Sequence, residues 1–318
     1  MQKTAEGLSA TGKFEERFYT FFPAYRHNSD INLAFTEFEH PIDSAHADFR
    51  FAVKIFESIC IQFDKYKKFI VLMGSDTLSY MSAALAYLLH DKKVSVIVTG
   101  AMQPLDSEDS DAYTNLKDAI GELTVSQVEG VDVVFGSKKI PATRCAKLFA
   151  SVNEAMIDTR NPLLARIEKQ GFKGLPAWRS DNLKDVDIRC LRAAPSLVTS
   201  ALDALIDGKP DAVIIECYGS GTLPDVQSAF ADAIRACQIK NVPVFAISQC
   251  LRTTIDFSTY ASSEWLAREE VTPCADMHFS ALYAKLWYLL SLGFKGRELK
   301  TLVATNICGE ISSNSNSE

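Results

Sequence analysis

Three consecutive polar side chains, Ser75, Asp76 and Thr77, follow Gly74 where an apolar run, residues 68–73, gives way to a helically spaced one, residues 78–90. A hydroxyl beside a carboxylate can support acyl transfer, provided a lysine or histidine arrives to take the hydroxyl proton. Lys147, in the stretch IPATRCAKLFAS, is the candidate base. A lysine shielded from water gives up its proton more readily, whereas an adjacent carboxylate favours the charged form, so a lysine–aspartate pair mainly orients. Each piece has a plainer reading. Ser75 or Asp76 could cap the following helix, with the acid favouring the positive end of its dipole. Lys147 alone could be a solvated surface residue.

The elements that would carry these residues follow from apolar patterning. Residues 68–73 lack polar alternation and read as a buried strand with both faces covered, ending where open α/β sheets usually place ligands. A helix over 45–63, the strand VSVIVTG with the loop AMQP, a helix over 111–122 and the strand VDVVFG continue the alternation. Lys147 is expected on a loop at the same sheet edge. Strands separated by helices indicate an α/β fold with a parallel sheet. The pattern lapses in RIEKQGFKGLPAWRSDNLK, giving a domain of residues 1–165, a linker of 166–185 and a second α/β domain of 186–318. That second domain carries DAVIIECYGSGTLPD, a helix through residue 238, PVFAISQC and a long amphipathic helix around 280–292. The first forty residues read as irregular and aromatic-rich, with no strong strand before residue 32. The terminal SSNSNSE is too polar to pack.

Composition excludes several function classes. The 318 residues suit two domains, and 47% apolar content gives each a core. A net charge of -7 without a Lys/Arg block argues against nucleic acid and, weakly, against an anionic membrane. No stretch approaches the roughly 18–20 apolar residues of a membrane helix, and the first residues lack a signal-peptide centre, so a cytoplasmic location is expected. The eight cysteines form no C-x-x-C pair or metal spacing, which favours reduced thiols over a disulfide or zinc framework. No metal and no cofactor are expected. His46 has no acidic partner at triad or metal spacing and reads as a surface residue. A dinucleotide site would need G-x-G-x-x-G, which YGSGTLPD imitates poorly.

The stretch VLMGSDTLSYMSAALAYLLHDKKVSVIVTGAMQPLDSEDSDAYTNLKDAI resembles the asparaginase family, in particular the cytoplasmic type I L-asparaginases, with their H-G-T-D-T strand end and T-G-(A/S)-x-x-P-L loop. SKKIPATRCAKLFAS, IIECYGSGTLPD, AISQC and CADMHFSALYAKLWYLLS extend the similarity over nearly the whole chain. The resemblance implies a two-domain α/β enzyme, a homodimer or homotetramer, hydrolysing L-asparagine or a similar small amino acid without metal or organic cofactor. By position it makes Ser75 the second catalytic hydroxyl, Asp76 the carboxylate holding the substrate's amino group, and Lys147 the catalytic lysine. Ser44, followed by Ala45, falls on the residue binding the substrate's α-carboxylate, and backbone N–H groups near Gly74 would face the oxyanion. Cys274 lies where type I relatives build an allosteric site, although a core thiol is the simpler reading.

The departures from the family pattern are equally specific. The family opens with a strand ending in T-G-G-T-I-G-M, whose first threonine is the primary nucleophile, whereas MQKTAEGLSATG resembles the loop after it. Thr4 and Thr11 neither follow an apolar strand nor precede Gly-Gly. Leu8 replaces the loop tyrosine, Met73 replaces the histidine before glycine, and the R-(S/T)-D-G segment reads Asp109-Ser110-Asp111-Ala112. Two expectations follow: a chain whose start lies upstream, or a relative with lost or altered catalysis, which the many replacements favour. The rival from another class is a catalytically silent amino-acid-binding or sensor protein.

Overall fold

The computed structural model describes residues 2–4, 7–9, 13–28, 30–39, 42–125, 129–150, 153–160, 172, 174–197, 199–225, 227–260 and 262–312. Residues 166–171 and 173 of the proposed linker and the polar terminus from residue 313 therefore lie outside the described residues, as do Thr11 and the side chains of Thr4 and Leu8.

The chain opens with a short antiparallel hairpin, β1 (Gln2–Thr4) and β2 (Gly7–Ser9), followed by helix α1 (Phe14–Phe21). The expectation of an irregular start is thus corrected. Phe14, Phe18 and Phe22 recur every fourth residue, so they share one helix face. Phe18 stacks on Phe22 at 4.8 Å and Phe22 on Tyr113 at 4.6 Å, giving the helix a core of its own. A run without helix or strand, residues 31–38, follows.

Helix α2 (Phe49–Gln62) begins later than residue 45, because Asp48 caps it by accepting from the Arg50 N–H at 2.9 Å. Residues 44–46 instead form one 3₁₀ turn, capped by Asp43 through the Ala45 N–H at 3.0 Å. Strand β3 (Lys68–Leu72) leads into α3 (Leu78–Leu88), whose ten buried residues place it inside the first core. Burying each of Leu78, Leu85 and Leu88 contributes roughly 1.5–3 kcal/mol. Strand β4 (Ser95–Thr99), helix α4 (Ala112–Val125), and strands β5 (Gly130–Phe135) and β6 (Lys138–Pro141) complete a sheet of order β3-β4-β5-β6. Its first three strands run parallel and β6 returns antiparallel. Among the described residues β3 is an edge whose two faces both carry packing, Phe69 and Val71 on one and Ile70 on the other, yet its residues are half-buried or exposed, because the strand is open along one side and not fully buried as its composition suggested.

A 3₁₀ turn, Ala142–Arg144, leads into β7 (Cys145–Lys147), which pairs with β8 (Met156–Asp158). The second sheet, of order β12-β11-β10-β9, is wholly parallel: β9 (Ile188–Arg192), β10 (Ala212–Cys217), β11 (Val244–Ser248) and β12 (Thr272–Pro273). Helices α5 (Thr199–Ile206), α6 (Ala229–Ile239) and α7 (Glu264–Arg268) accompany it. Helices α8 (Phe279–Ser291) and α9 (Gly296–Ala304) then pack into the first core, so the interval 186–318 supplies side chains to both cores. Trp178, from the expected linker, packs there too.

Sequence periodicity suggested an amphipathic α8, yet it is buried on nearly every face. Its charged residue, Lys285, is satisfied internally: its ammonium donates to the carbonyls of Val303 (2.8 Å) and Thr305 (2.5 Å) and pairs with Glu310 (2.6 Å). All eight cysteines are free thiols, and Cys145, Cys217, Cys237 and Cys274 are core residues. Burial pushes the Cys274 thiol up to about 12, as befits an inert core group.

Candidate active site

Strand β3 ends at Leu72, and the chain passes through Met73 to Gly74, where Ser44 crosses it. A Cβ at residue 74 would lie 2.5 Å from Ser44 Oγ, so the close approach requires glycine. The crossing is locked twice: Ser44 Oγ accepts from the Asp76 N–H at 3.3 Å, and Thr77 Oγ1 donates to the Ser44 carbonyl at 2.8 Å. Neither Ser75 nor Asp76 caps α3. Thr77 occupies the cap position and makes no side-chain cap bond, which removes the plainer reading of this tetrad.

The side chains of Ser75 and Asp76 instead meet Lys147. Its ammonium nitrogen lies 2.8 Å from Ser75 Oγ and 2.6 Å from Asp76 Oδ1. Lys147 is the last residue of β7, not a loop residue as its spacing suggested, and its main chain is held opposite Met156. Three residues earlier, Arg144 anchors the segment in the interior: Nε donates to the Gly309 carbonyl at 2.7 Å and Nη1 to Asp276 Oδ2 at 3.0 Å. A rigid strand starting from a fixed guanidinium thus carries the lysine to the end of β3.

Stability does not explain this cluster. The Lys147 side chain is 17% exposed and that of Asp76 59%, and ion pairs this open contribute about 0–1 kcal/mol. The geometry suits chemistry better: Ser75 Oγ is buried and lies within proton-transfer reach of an amine that a carboxylate holds in place. Ala45 is exposed at the rim with its N–H committed to Asp43, and His46 is also exposed.

A third segment braces the site. Gly100 packs so tightly on β3 that a Cβ there would lie 2.1 Å from the Met73 carbonyl oxygen. Asp111 shapes the loop after it by accepting from the N–H groups of Met102 (2.9 Å) and Gln103 (3.0 Å). Asn115 donates to the Gly100 carbonyl at 3.0 Å and accepts from the Gly136 N–H at 2.9 Å, tying the ends of β4 and β5 together. Sequence reasoning assigned no role to Thr77 or Asn115 and named Asp111 only for its altered neighbours. A polar Asn115 facing inward on an otherwise apolar helix face was the available signal. Among the described residues no cluster of three or more His, Cys, Asp or Glu side chains could hold a metal.

The family model described as "Asparaginase, N-terminal" matches residues 1–176, and "Glutaminase/Asparaginase C-terminal domain" matches residues 187–303. The chain belongs to the asparaginase family. It is 24% identical to L-asparaginase 1 of Escherichia coli over 319 aligned positions, covering 98% of this chain and 94% of that protein. It is also 27% identical to the L-asparaginase of Thermococcus kodakarensis over 268 aligned positions, covering 81% of this chain and 80% of that protein. The solved thermostable L-asparaginase from Thermococcus kodakarensis superposes with a TM-score of 0.83 at 23% identity, over 98% of this chain and 96% of that one. The asparaginase fold, two α/β domains with helices flanking parallel sheets, is therefore common to both.

Proposed function

We propose that this asparaginase-family chain is an amidohydrolase whose substrate is L-asparagine or a similar small amino acid, released as L-aspartate and ammonia with low turnover. The observation that carries the reading is the joint contact of Lys147 with Ser75 Oγ and Asp76 Oδ1 at the end of β3. Asp76 accepts from the substrate ammonium group, Ser44 meets the α-carboxylate with Ala45 at the rim, and backbone N–H groups around Gly74 face the side-chain carbonyl. Lys147 and Ser75 move the proton: the amide C–N bond breaks, its nitrogen leaves protonated as ammonia, and the oxygen of one water ends on the acyl carbon. Low turnover is inferred from Met73, Asp109 and Ala112, which replace the usual residues of the family's motifs.

The reading extends to setting. No helix among the described residues is long and apolar enough to cross a membrane. Free thiols suit a reducing cytoplasm. Leu148 and Phe149, 48% and 47% exposed directly beyond Lys147, suit a contact within a homodimer or homotetramer. The test is ammonia release from L-asparagine by purified protein, with calorimetric titration of L-asparagine alongside. Slow release that disappears in Lys147→Met supports the proposal. Binding without release points to the amino-acid-binding alternative, and neither binding nor release overturns both.

A further inference from the structure

Two elements bring the Lys147 cluster together, and one further segment holds both of them from behind. Ser75 and Asp76 stand just before α3, and Lys147 ends β7. Residues 306–312, which come after α9, reach the opposite end of each element. The Cys308 thiol donates to the Ala86 carbonyl near the carboxyl end of α3 at 3.3 Å. At the root of β7, Thr143 Oγ1 donates to the Cys308 carbonyl at 3.2 Å, Arg144 Nε to the Gly309 carbonyl at 2.7 Å, and Arg144 Nη2 to Ser312 Oγ at 3.1 Å. The same short strap thus touches the tail of the helix that follows the hydroxyl and acid and the start of the strand that carries the amine.

The strap is held in a fixed shape. Glu310 is fully buried at its centre, where the carboxylate accepts from the N–H groups of Ile307 (2.9 Å) and Cys308 (2.6 Å) and pairs with Lys285 at 2.6 Å. Asn306 Oδ1 accepts from the Gly309 N–H at 2.9 Å and closes the turn. Asp276 fixes the far end: Oδ1 accepts from the Ser312 N–H at 3.0 Å and Oδ2 from the Ser312 hydroxyl at 2.6 Å. Ser312 Oγ therefore bridges both members of the Arg144–Asp276 pair through charge-assisted bonds, which are stronger than neutral ones. Core coverage accounts for buried Ile307, but not for four polar contacts aimed at α3 and at residues 143–144.

Positional demands at the site are tight. A displacement of about 1 Å at a reacting group can cost roughly 100-fold in rate. Strand β7 is three residues long, and its ladder joins it to β8, not to the sheet that ends at Ser75. Something else must therefore set its distance from α3. We propose that residues 306–312 act as a positioning strap that sets how far Lys147 stands from Ser75 and Asp76, with Ser312 a positioning residue that acts through Arg144. The proposal rests on the reading of Lys147, Ser75 and Asp76 as the reacting groups.

The test compares the full chain with Ser312→Ala, Thr143→Val and Ser312→Thr, each shown to be folded by its urea midpoint. Two quantities are followed: kcat and KM for ammonia release from L-asparagine, and the rate at which acetic anhydride acetylates Lys147, read by peptide mass spectrometry. Ser312→Ala should lower kcat by about tenfold and leave KM within about twofold, because Ser44 and Asp76 keep their places. Lys147 should acetylate about threefold faster or more, while buried Lys285 stays unreactive. Thr143→Val, which removes a different strap contact, should act in the same direction, and Ser312→Thr, which keeps the hydroxyl, should restore the parent values. Lys147 acetylation at the parent rate in both Ser312→Ala and Thr143→Val overturns the proposal. So does faster acetylation with kcat unchanged in an active enzyme, an equal rise at Lys285, or Ser312→Thr behaving as Ser312→Ala. Should the parent chain release no ammonia, the amidohydrolase reading fails, and the acetylation rates alone then decide whether the strap positions Lys147.

Discussion

One short segment of this chain holds two cation–carboxylate pairs of opposite character. Arg144 meets Asp276 in the seam between the two sheets, with both side chains buried and the guanidinium further bound to the Gly309 carbonyl and Ser312 Oγ. Three residues later Lys147 meets Asp76 at a solvent-accessible sheet end. The first pair has every donor occupied and no room for a ligand. The second leaves a carboxylate facing solvent and a hydroxyl within reach of an amine. Burial thus separates a structural staple from the accessible cluster proposed as the site, although either pair is written as a basic and an acidic residue.

Breaking the seam should have the largest effect on stability. Arg144→Met leaves Asp276 charged, buried and unpaired, at a cost of about 3–5 kcal/mol, measured by urea unfolding. A loss below about 1 kcal/mol would erase the distinction between the two regions. The same seam should respond to acid. His278, which begins α8, is held down to about 4 by burial, against an ordinary value of 6.5. The unfolded chain therefore binds more protons between these values, so stability is complete above about pH 6.5 and falls as the pH drops toward about 4. His278→Gln should flatten the unfolding midpoint across that window. A profile unchanged by the substitution would assign the acid response elsewhere.

At the site the effects should appear in chemistry first. Lys147→Met is expected to lower ammonia release from L-asparagine by about 100-fold or more while shifting stability by less than about 1 kcal/mol. Loss of both together would place Lys147 in the same class as Arg144. The smallest effect should come from Gly74→Ala, whose added methyl displaces Ser44 Oγ and costs about 1–3 kcal/mol by overpacking. Weaker L-asparagine binding in that variant, followed by calorimetry, would tie the Ser44 crossing to substrate.

Local patterning made much of this readable. The junction of β3 and α3 was evident from an apolar run followed by helical spacing, and Ser75, Asp76 and Lys147 from their chemistry and the family motifs. Helix α1 was hidden because its aromatic residues acquire a core only when Phe35 and Tyr113 arrive from elsewhere. The bracing by Asp111 and Asn115 left only the inward-facing Asn115 as a signal, since most of its partners are main-chain groups that carry no side-chain signature. The half-open state of β3 ran against its composition, because apolar residues record a preference for burial and not whether a neighbour is present.

Sequence alone thus determined which segments become strands and helices, and which hydroxyl, acid and amine are available, because propensity and periodicity act over a few residues. Tertiary structure decided that Lys147 meets Ser75 and Asp76, that Arg144 is sealed away, and that β3 lies at a sheet edge among the described residues. Each of these depends on contacts between residues distant in the chain, and on how far water is excluded where they meet.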